Sequence, residues 1–333
     1  MKTFEFIRPA DSAAAIATAT QSKTAQQGAD VRFIAGGTTL MDLMKLNVET
    51  PARVLDINRL PLDKIEATSD GGLKIGATVR NSDLAHHEKV LRDYPLLSQA
   101  ILNGASAQLR NMATTAGNLL QRTRCMYFRD AAMPCNKREP GSGCPAITGA
   151  NRMLAILGTS EHCIASNPSD MCVAMAALEA TIHVQGPKGS RAVPIGDFHL
   201  LPRNTPERET VLEPGDLITH VTLPAPVTAS KHVYLKLRDR ASYEFALASA
   251  AVVITVAGQN VTRARIALGG VGTKPWRSQE AEAALVGQLA SGANFRKAAE
   301  AALSNAKPQS ENAFKIELAK RCLTHALQMA VTS

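Results

Sequence analysis

The stretch VRFIAGGTTLMDLMK (31–45) constrains the fold more than any other in this chain. An apolar, strand-like run, VRFIA, stops at Gly36-Gly37, and the helix-periodic run LMDLMK begins almost at once. Paired glycines permit positive φ and clear side chains from the turn, so successive backbone N–H groups can face an anion. The helix start adds unsatisfied donors and a favourable dipole. Thr38 and Thr39 supply hydroxyls that can donate to a ligand or cap the helix. The pattern is neither G-x-G-x-x-G nor a Walker lysine loop, and a Gly-Gly turn before a helix is by itself most often chain punctuation. A second stretch changes the odds. QLRNMATTAGNLLQ (108–121) carries Thr114, Thr115, Gly117 and Asn118 in a run of small residues. Read alone it is a tightly packed turn; read with the first, it offers two donor-rich loops that could close on one diphosphate from opposite sides.

Around these loops residues 1–60 read β-α-β-α-β: TFEFIRP, a small-residue helix capped by Asp11, VRFIA, LMDLMKLN and RVLDI. GLKIGATV follows as a strand, then two helical stretches over roughly 81–103. Residues 122–166 read as loop, with Pro134, Pro140, Gly141 and Gly143. A helix over 169–179 and strands near 180–186 and 217–223 come next. LPAPVTAS (223–230) reads as a linker. Beyond it lie alternating strands and, from about 277, an Ala-rich helical tail. The fold class is α+β, with a domain boundary near residue 225. The apolar run LASAAVVITVAG (247–258) is far short of the ~20 residues that span a bilayer and reads as a buried strand.

Three of the six cysteines fall within CMYFRDAAMPCNKREPGSGC (125–144), and Cys163 follows. Their spacings are C-x9-C, C-x8-C and C-x18-C. Structural zinc sites favour close CxxC pairs, of which there are none here. Disulfides belong mostly to small secreted domains. A cubane cluster needs four thiolates that converge in space and tolerates wide spacing if a loop wraps it. Zinc, disulfides, a cluster and coincidence all remain open on the cysteines alone. Cys172 and Cys322 sit in apolar helical runs and read as small buried hydrophobes.

The net charge of +8 invites a nucleic-acid reading, but aromatic residues make up only 4%, poor material for base stacking. Much of the excess surrounds the cysteines: Arg122, Arg124, Arg129, Lys137, Arg138 and Arg152 stand against Asp130 and Glu139. Such a surplus would offset the charge of gathered thiolates.

IAGGTTL, IGATVRNSDL (75–84), LRNMATTAGNLL, PSDM (168–171), LKLRDRASYEFALASAA (235–251) and ALGGVGTKPWR (267–277) occur in this order. The series resembles the FAD-binding subunit of molybdenum hydroxylases, the xanthine dehydrogenase and aldehyde oxidoreductase family, over essentially the whole chain. The resemblance implies a two-lobed FAD-binding domain over 1–224 (lobes about 1–60 and 61–224) and a smaller C-terminal α+β domain over 225–333. It also implies that Ile34, Ala35, Gly36, Gly37, Thr38, Thr39 and Leu40 wrap the FAD pyrophosphate. Thr114, Gly117 and Asn118 would close over it. Asp170 would reach toward the adenosine half, and Ile218 and Lys236 would lie near the isoalloxazine. Their ordinary alternatives are a helix cap for Asp170, core for Ile218 and a solvated strand position for Lys236. Where the family has a glycine pair before its Asn, this chain has Ala116-Gly117, acceptable if residue 116 keeps a negative φ.

The motif RTRC…PCNKR…GSGC resembles the inserted loop that carries a [4Fe-4S] cluster in certain bacterial aldehyde oxidoreductases. It implies Cys125, Cys135, Cys144 and Cys163 as the cluster ligands, within an insertion over 122–166. The family role implied is electron transfer. A molybdenum-cofactor-binding large subunit would oxidise a substrate, most simply an aldehyde, and electrons would reach this chain's FAD from a [2Fe-2S] small subunit. An external acceptor would then take them. Two rival readings are a stand-alone FAD oxidase with a disulfide-stapled loop, and a basic, metal-stabilised nucleic-acid-binding module. The N-terminus lacks the apolar core of a signal peptide. That favours the cytoplasm, or the periplasm if a partner bearing a twin-arginine signal carries the folded complex out.

Overall fold

A computed structural model describes residues 1–332; Ser333, the last residue of the expected second domain, lies outside them. Three sheets organise the chain. The first holds β1 (Glu5–Ile7), β2 (Val31–Ile34) and β3 (Arg53–Asp56), all parallel, in the order β1-β3-β2. Parallel neighbours require crossover connections, and the helices Ser12–Ala19 and Leu40–Lys45 supply them. Asp11 caps the first by accepting from the Ala14 N–H at 2.8 Å. Its Ala15 and Ile16 pack with Ile57 and Leu60.

The second sheet is antiparallel, in the order β4-β5-β8-β6-β7, built from β4 (Ile65–Ala67), β5 (Leu73–Gly76), β6 (Thr181–Gly186), β7 (Gly189–Pro194) and β8 (Leu217–Leu223). Leu73, Ile75, Ile182, Val184 and Val221 turn inward against Leu84, Leu96, Leu97 and Met175 of the covering helices. The helix Asp170–Ala177 is buried at every position, as a helix apolar all round must be. It lies against the helix Pro95–Asn103 on one side and the third sheet on the other.

That third sheet runs β12-β11-β10-β9, with β9 (Lys231–Leu237), β10 (Ala248–Ala257), β11 (Asn260–Gly269) and β12 (Trp276–Arg277). Val252, Ile254 and Ile266 meet Leu323 and Leu327 of the tail helix Phe314–Thr332. Ala251, Val253 and Ala267 face the larger core instead. Both faces of β10 are therefore covered, which is why its sequence is continuously apolar rather than alternating.

The helical stretch 81–103 divides into Asn81–His86, Glu88–Asp93 and Pro95–Asn103, since Pro95 is suited to starting a helix rather than continuing one. Residues 104–121 hold two short helices, Ala107–Met112 and Thr115–Leu119. β4, β7 and β12 escaped the sequence reading because they are edge strands, short or largely exposed, without a buried alternation to betray them.

The cysteine segment carries only the helix Met126–Arg129 and a 3-10 turn at Pro145–Ile147. It builds a small core of its own from the cysteines, Phe128, Ala146, Leu154 and Ile164, completed by Leu43 and Val48 of the first lobe. At its far end Ile156 and Leu157 donate backbone bonds to the Val271 carbonyl at 2.8 and 3.0 Å. The segment is thus moored to both ends of the fold.

Candidate functional site

The Gly-Gly turn and the second loop touch through their backbones. A Cβ on Gly36 would lie 2.0 Å from the Met112 carbonyl oxygen, so only glycine lets the loops approach this closely. Arg80 holds the same carbonyl through Nη1 at 2.5 Å. Gly37 adopts φ +71°, the left-handed conformation its sequence position suggested. Thr39 stands at the N-cap of Leu40–Lys45 without a capping side-chain bond. Thr114 does cap its helix, accepting from the Gly117 N–H at 3.3 Å. Ala116 keeps a negative φ within that helix, so its methyl is tolerated.

These loops wall a pocket of about 1370 Å³, including its open mouth. Ile34 through Leu40 line it, as do Thr114 and Gly117. Asn118 stands just behind, its Oδ1 accepting from the Ser169 hydroxyl at 2.8 Å and from Gln121. The remaining three expected residues do not line this pocket. Asp170 is no helix cap: Ser169 takes that role, accepting from the Cys172 N–H at 3.1 Å. Asp170 accepts from the Tyr234 hydroxyl at 2.6 Å and from Lys236 Nζ at 2.8 Å. Lys236 is not solvated either, because β9 packs on the helix Pro95–Asn103 and its ammonium also donates to the Asn103 carbonyl. Asp170 borders a second pocket of about 720 Å³ with Arg124, Phe245 and Gly270. Ile218 is core, paired in register with Val184.

The opposite wall of the larger pocket is a charge network that sequence reasoning did not assemble. Arg32 pairs with Glu49 at 2.9 Å, and Glu49 also holds Arg122 at 2.5 Å. Arg122 pairs in turn with Glu209, which takes Lys137 Nζ at 2.8 Å. Three cations face two carboxylates, leaving one positive charge along a pocket wall suited to an anion. Burial pushes the Glu209 carboxyl up, but the Arg122 and Lys137 charges outweigh it and hold the group below its ordinary value. Arg122 stacks over Phe128 at 4.8 Å and keeps Nη2 buried without a hydrogen-bond partner. His199 Nε2 lies 2.9 Å from the Leu119 carbonyl, which fixes the proton there, while Nδ1 is buried and unpartnered. Burial lowers His199 to about 4, so it is neutral at pH 7.

Cys125, Cys135, Cys144 and Cys163 line one small pocket of about 300 Å³, with Lys137, Asn136 and His162 beside them. Asn136 ties their three stretches together: its N–H donates to the Gly143 carbonyl at 2.9 Å and its Nδ2 to the His162 carbonyl at 3.0 Å, while Oδ1 accepts from the Gly143 N–H at 2.8 Å. Gly141 and Gly143, at φ +87° and +104°, turn the chain between them. All six cysteines are free. Burial pushes Cys125 up to about 11 and also raises Cys144 and Cys163. Among the described residues no three His, Cys, Asp or Glu side chains are grouped to hold a metal ion. A tetrahedral zinc would need its sulfurs about 2.3 Å from a single point; a four-iron cluster is wider and spreads its thiolates further. Cys172 and Cys322 lie apart, buried in their helices.

Residues 2–226 match the family described as FAD binding domain in molybdopterin dehydrogenase, and residues 233–330 match the CO dehydrogenase flavoprotein C-terminal domain. The chain is 54% identical to the aldehyde oxidoreductase FAD-binding subunit PaoB of Escherichia coli, over 92% of this chain and 93% of that one. It is 31% identical to the glyceraldehyde dehydrogenase medium chain of Sulfolobus acidocaldarius, over 78% and 74%. Among solved structures, reconstituted CO dehydrogenase from Oligotropha carboxidovorans superposes with a TM-score of 0.78 at 25% identity, covering 99% of this chain and 98% of that one.

Proposed function

Because this chain belongs to the family of FAD-binding subunits of molybdenum hydroxylases, we propose that it is the flavin subunit of an aldehyde-oxidising complex. Its partners are a molybdenum-cofactor-binding large subunit and a [2Fe-2S] small subunit. Substrate is oxidised on the large subunit, and this chain passes the electrons to an external acceptor. The observation that carries the reading is the meeting of the two loops at Gly36 and Met112, which sets Gly36, Thr114 and Gly117 on the wall of one large pocket.

The residues present fit FAD. Backbone N–H groups of 34–40 and the Thr38 and Thr39 hydroxyls would hold the diphosphate from one loop, with the Thr114 hydroxyl and the small Gly117 facing it from the other. Asn118 fixes the second loop to Ser169 through its Oδ1. Arg122 and His199 line the same pocket. When bound, FAD supplies exchange between one- and two-electron chemistry, and the chain's part is to orient it and screen it from water.

We further propose that Cys125, Cys135, Cys144 and Cys163 hold a [4Fe-4S] cluster. Four free thiols on one pocket, three of their stretches tied by Asn136 and flanked by Lys137, are the donor set such a group takes. Of the lysines and arginines around the segment only Lys137 lines this pocket; Arg122, Arg129 and Arg152 pair with carboxylates instead. The test is an absorption spectrum of anaerobically purified protein with iron and acid-labile sulfide assays. Flavin bands over a broad brown shoulder and about four Fe per chain are expected. Serine at any of the four positions should lose iron, and Cys172→Ser should not. A protein that stays colourless after FAD, iron and sulfide are supplied overturns both assignments. One that takes up only FAD overturns the cluster.

A further inference from the structure

Lys137, Cys163 and Ala165 line both the flavin pocket and the four-cysteine pocket. The partition between the two sites is therefore about one side chain thick, and Lys137 is its charged member. Its ammonium is fixed by two bonds, 2.8 Å to Glu209 Oε1 and 2.8 Å to the Pro206 carbonyl. The side chain is buried, so water screens it little. Glu209 lies on the flavin side and continues through Arg122 to Glu49 and Arg32. The two sites thus share one pair of opposite, immobile charges.

We propose that Lys137 and Glu209 form a positioning pair that sets the reduction potential of the group in the four-cysteine pocket, with opposite signs; this rests on the cluster reading above. Taking one electron from a reductant makes a thiolate-ligated cluster more negative by one charge, with no bond made or broken. A fixed cation beside it stabilises the reduced form and raises the potential, while Glu209 offsets part of that effect. Neither residue need touch iron, since the effect acts through the partition.

The experiment is a dithionite titration of the purified complex, followed by the electron paramagnetic resonance of the reduced cluster, with iron counted for every variant. Lys137→Met should lower the reduced-to-oxidised ratio at a fixed potential about tenfold, ~59 mV for a one-electron couple. Lys137→Arg should restore it, and Glu209→Gln should move it the other way. A purely structural role would not reverse sign between the two variants. Shifts in the same direction, or none in iron-replete variants, overturn this inference and leave the cluster standing. If Lys137→Met loses its iron, Glu209→Gln still decides: a raised potential supports the pair, and an unchanged or lowered one sinks it. Wild-type complex with flavin but no iron or sulfide beyond that of the small subunit's [2Fe-2S] centres removes the cluster reading, and this inference with it.

Discussion

Gly36 shows how much can hang on one absent methyl. Its φ is unremarkable for any residue, so backbone strain is not what demands glycine there; the Met112 carbonyl is. Gly36→Ala should push the two loops apart and weaken FAD binding at least about tenfold, some 1.4 kcal/mol, read as the FAD-to-protein ratio after gel filtration. Gly196→Ala has open space around the new Cβ and serves as the silent control. The glycine turn was legible in the sequence because its demand is local; the approach of Gly36 to Met112 and the cap at Thr114 were not. Glu49 and Glu209 were not. Glu49 meets Arg122 across 73 residues of chain, and nothing in the neighbourhood of either residue signals the pairing. Lys236 misled for the same reason, since the carboxylate that lets it be buried lies 66 residues away.

Among the elements, the tail helix Phe314–Thr332 does more than cover its sheet. Lys315, at its first turn, is wholly buried and donates to the carbonyls of Met153, Leu154 and Gly270 at 3.2, 2.9 and 2.7 Å. It thereby pins the end of the cysteine segment to the C-terminal domain. Lys315→Met would leave those carbonyls without this donor, and unsatisfied buried groups cost about 1–3 kcal/mol each. A loss of about 2–4 kcal/mol in urea unfolding at constant m is expected, together with faster proteolysis within 122–166. Most helices and the central strands were legible from periodicity and caps. The cysteine segment was legible only as loop, since its order comes from side chains such as Asn136 and Asn151 bonding across it rather than from any repeating pattern.

For the molecule as a whole, acid should be destabilising well before the carboxylates titrate. Burial lowers His199, His220 and His232 to about 4. The unfolded chain takes up protons on them near pH 6.5, while the folded one does not until about pH 4. Unfolding is therefore favoured progressively as pH falls between those values. His199, the buried one, dominates with about 3 kcal/mol, and His199→Gln should flatten the stability profile of the FAD-free protein between pH 7 and 5. An unchanged slope would show that another group controls it.

The bonds that lock the cysteine segment reach across most of the chain's second half. Asn151 N–H donates to Glu311 at 3.0 Å, and the Glu311 N–H returns a bond to Asn151 Oδ1 at 2.9 Å, each spanning 160 residues. During synthesis at about 5–20 residues per second, roughly 8–30 s separate the two partners' emergence from the ribosome. For all but the first dozen residues of that interval the four thiols are already made while the clasp that will hold their loop does not yet exist. The loop that gathers them stays open through most of synthesis, and its clasp closes only once Glu311 has been translated.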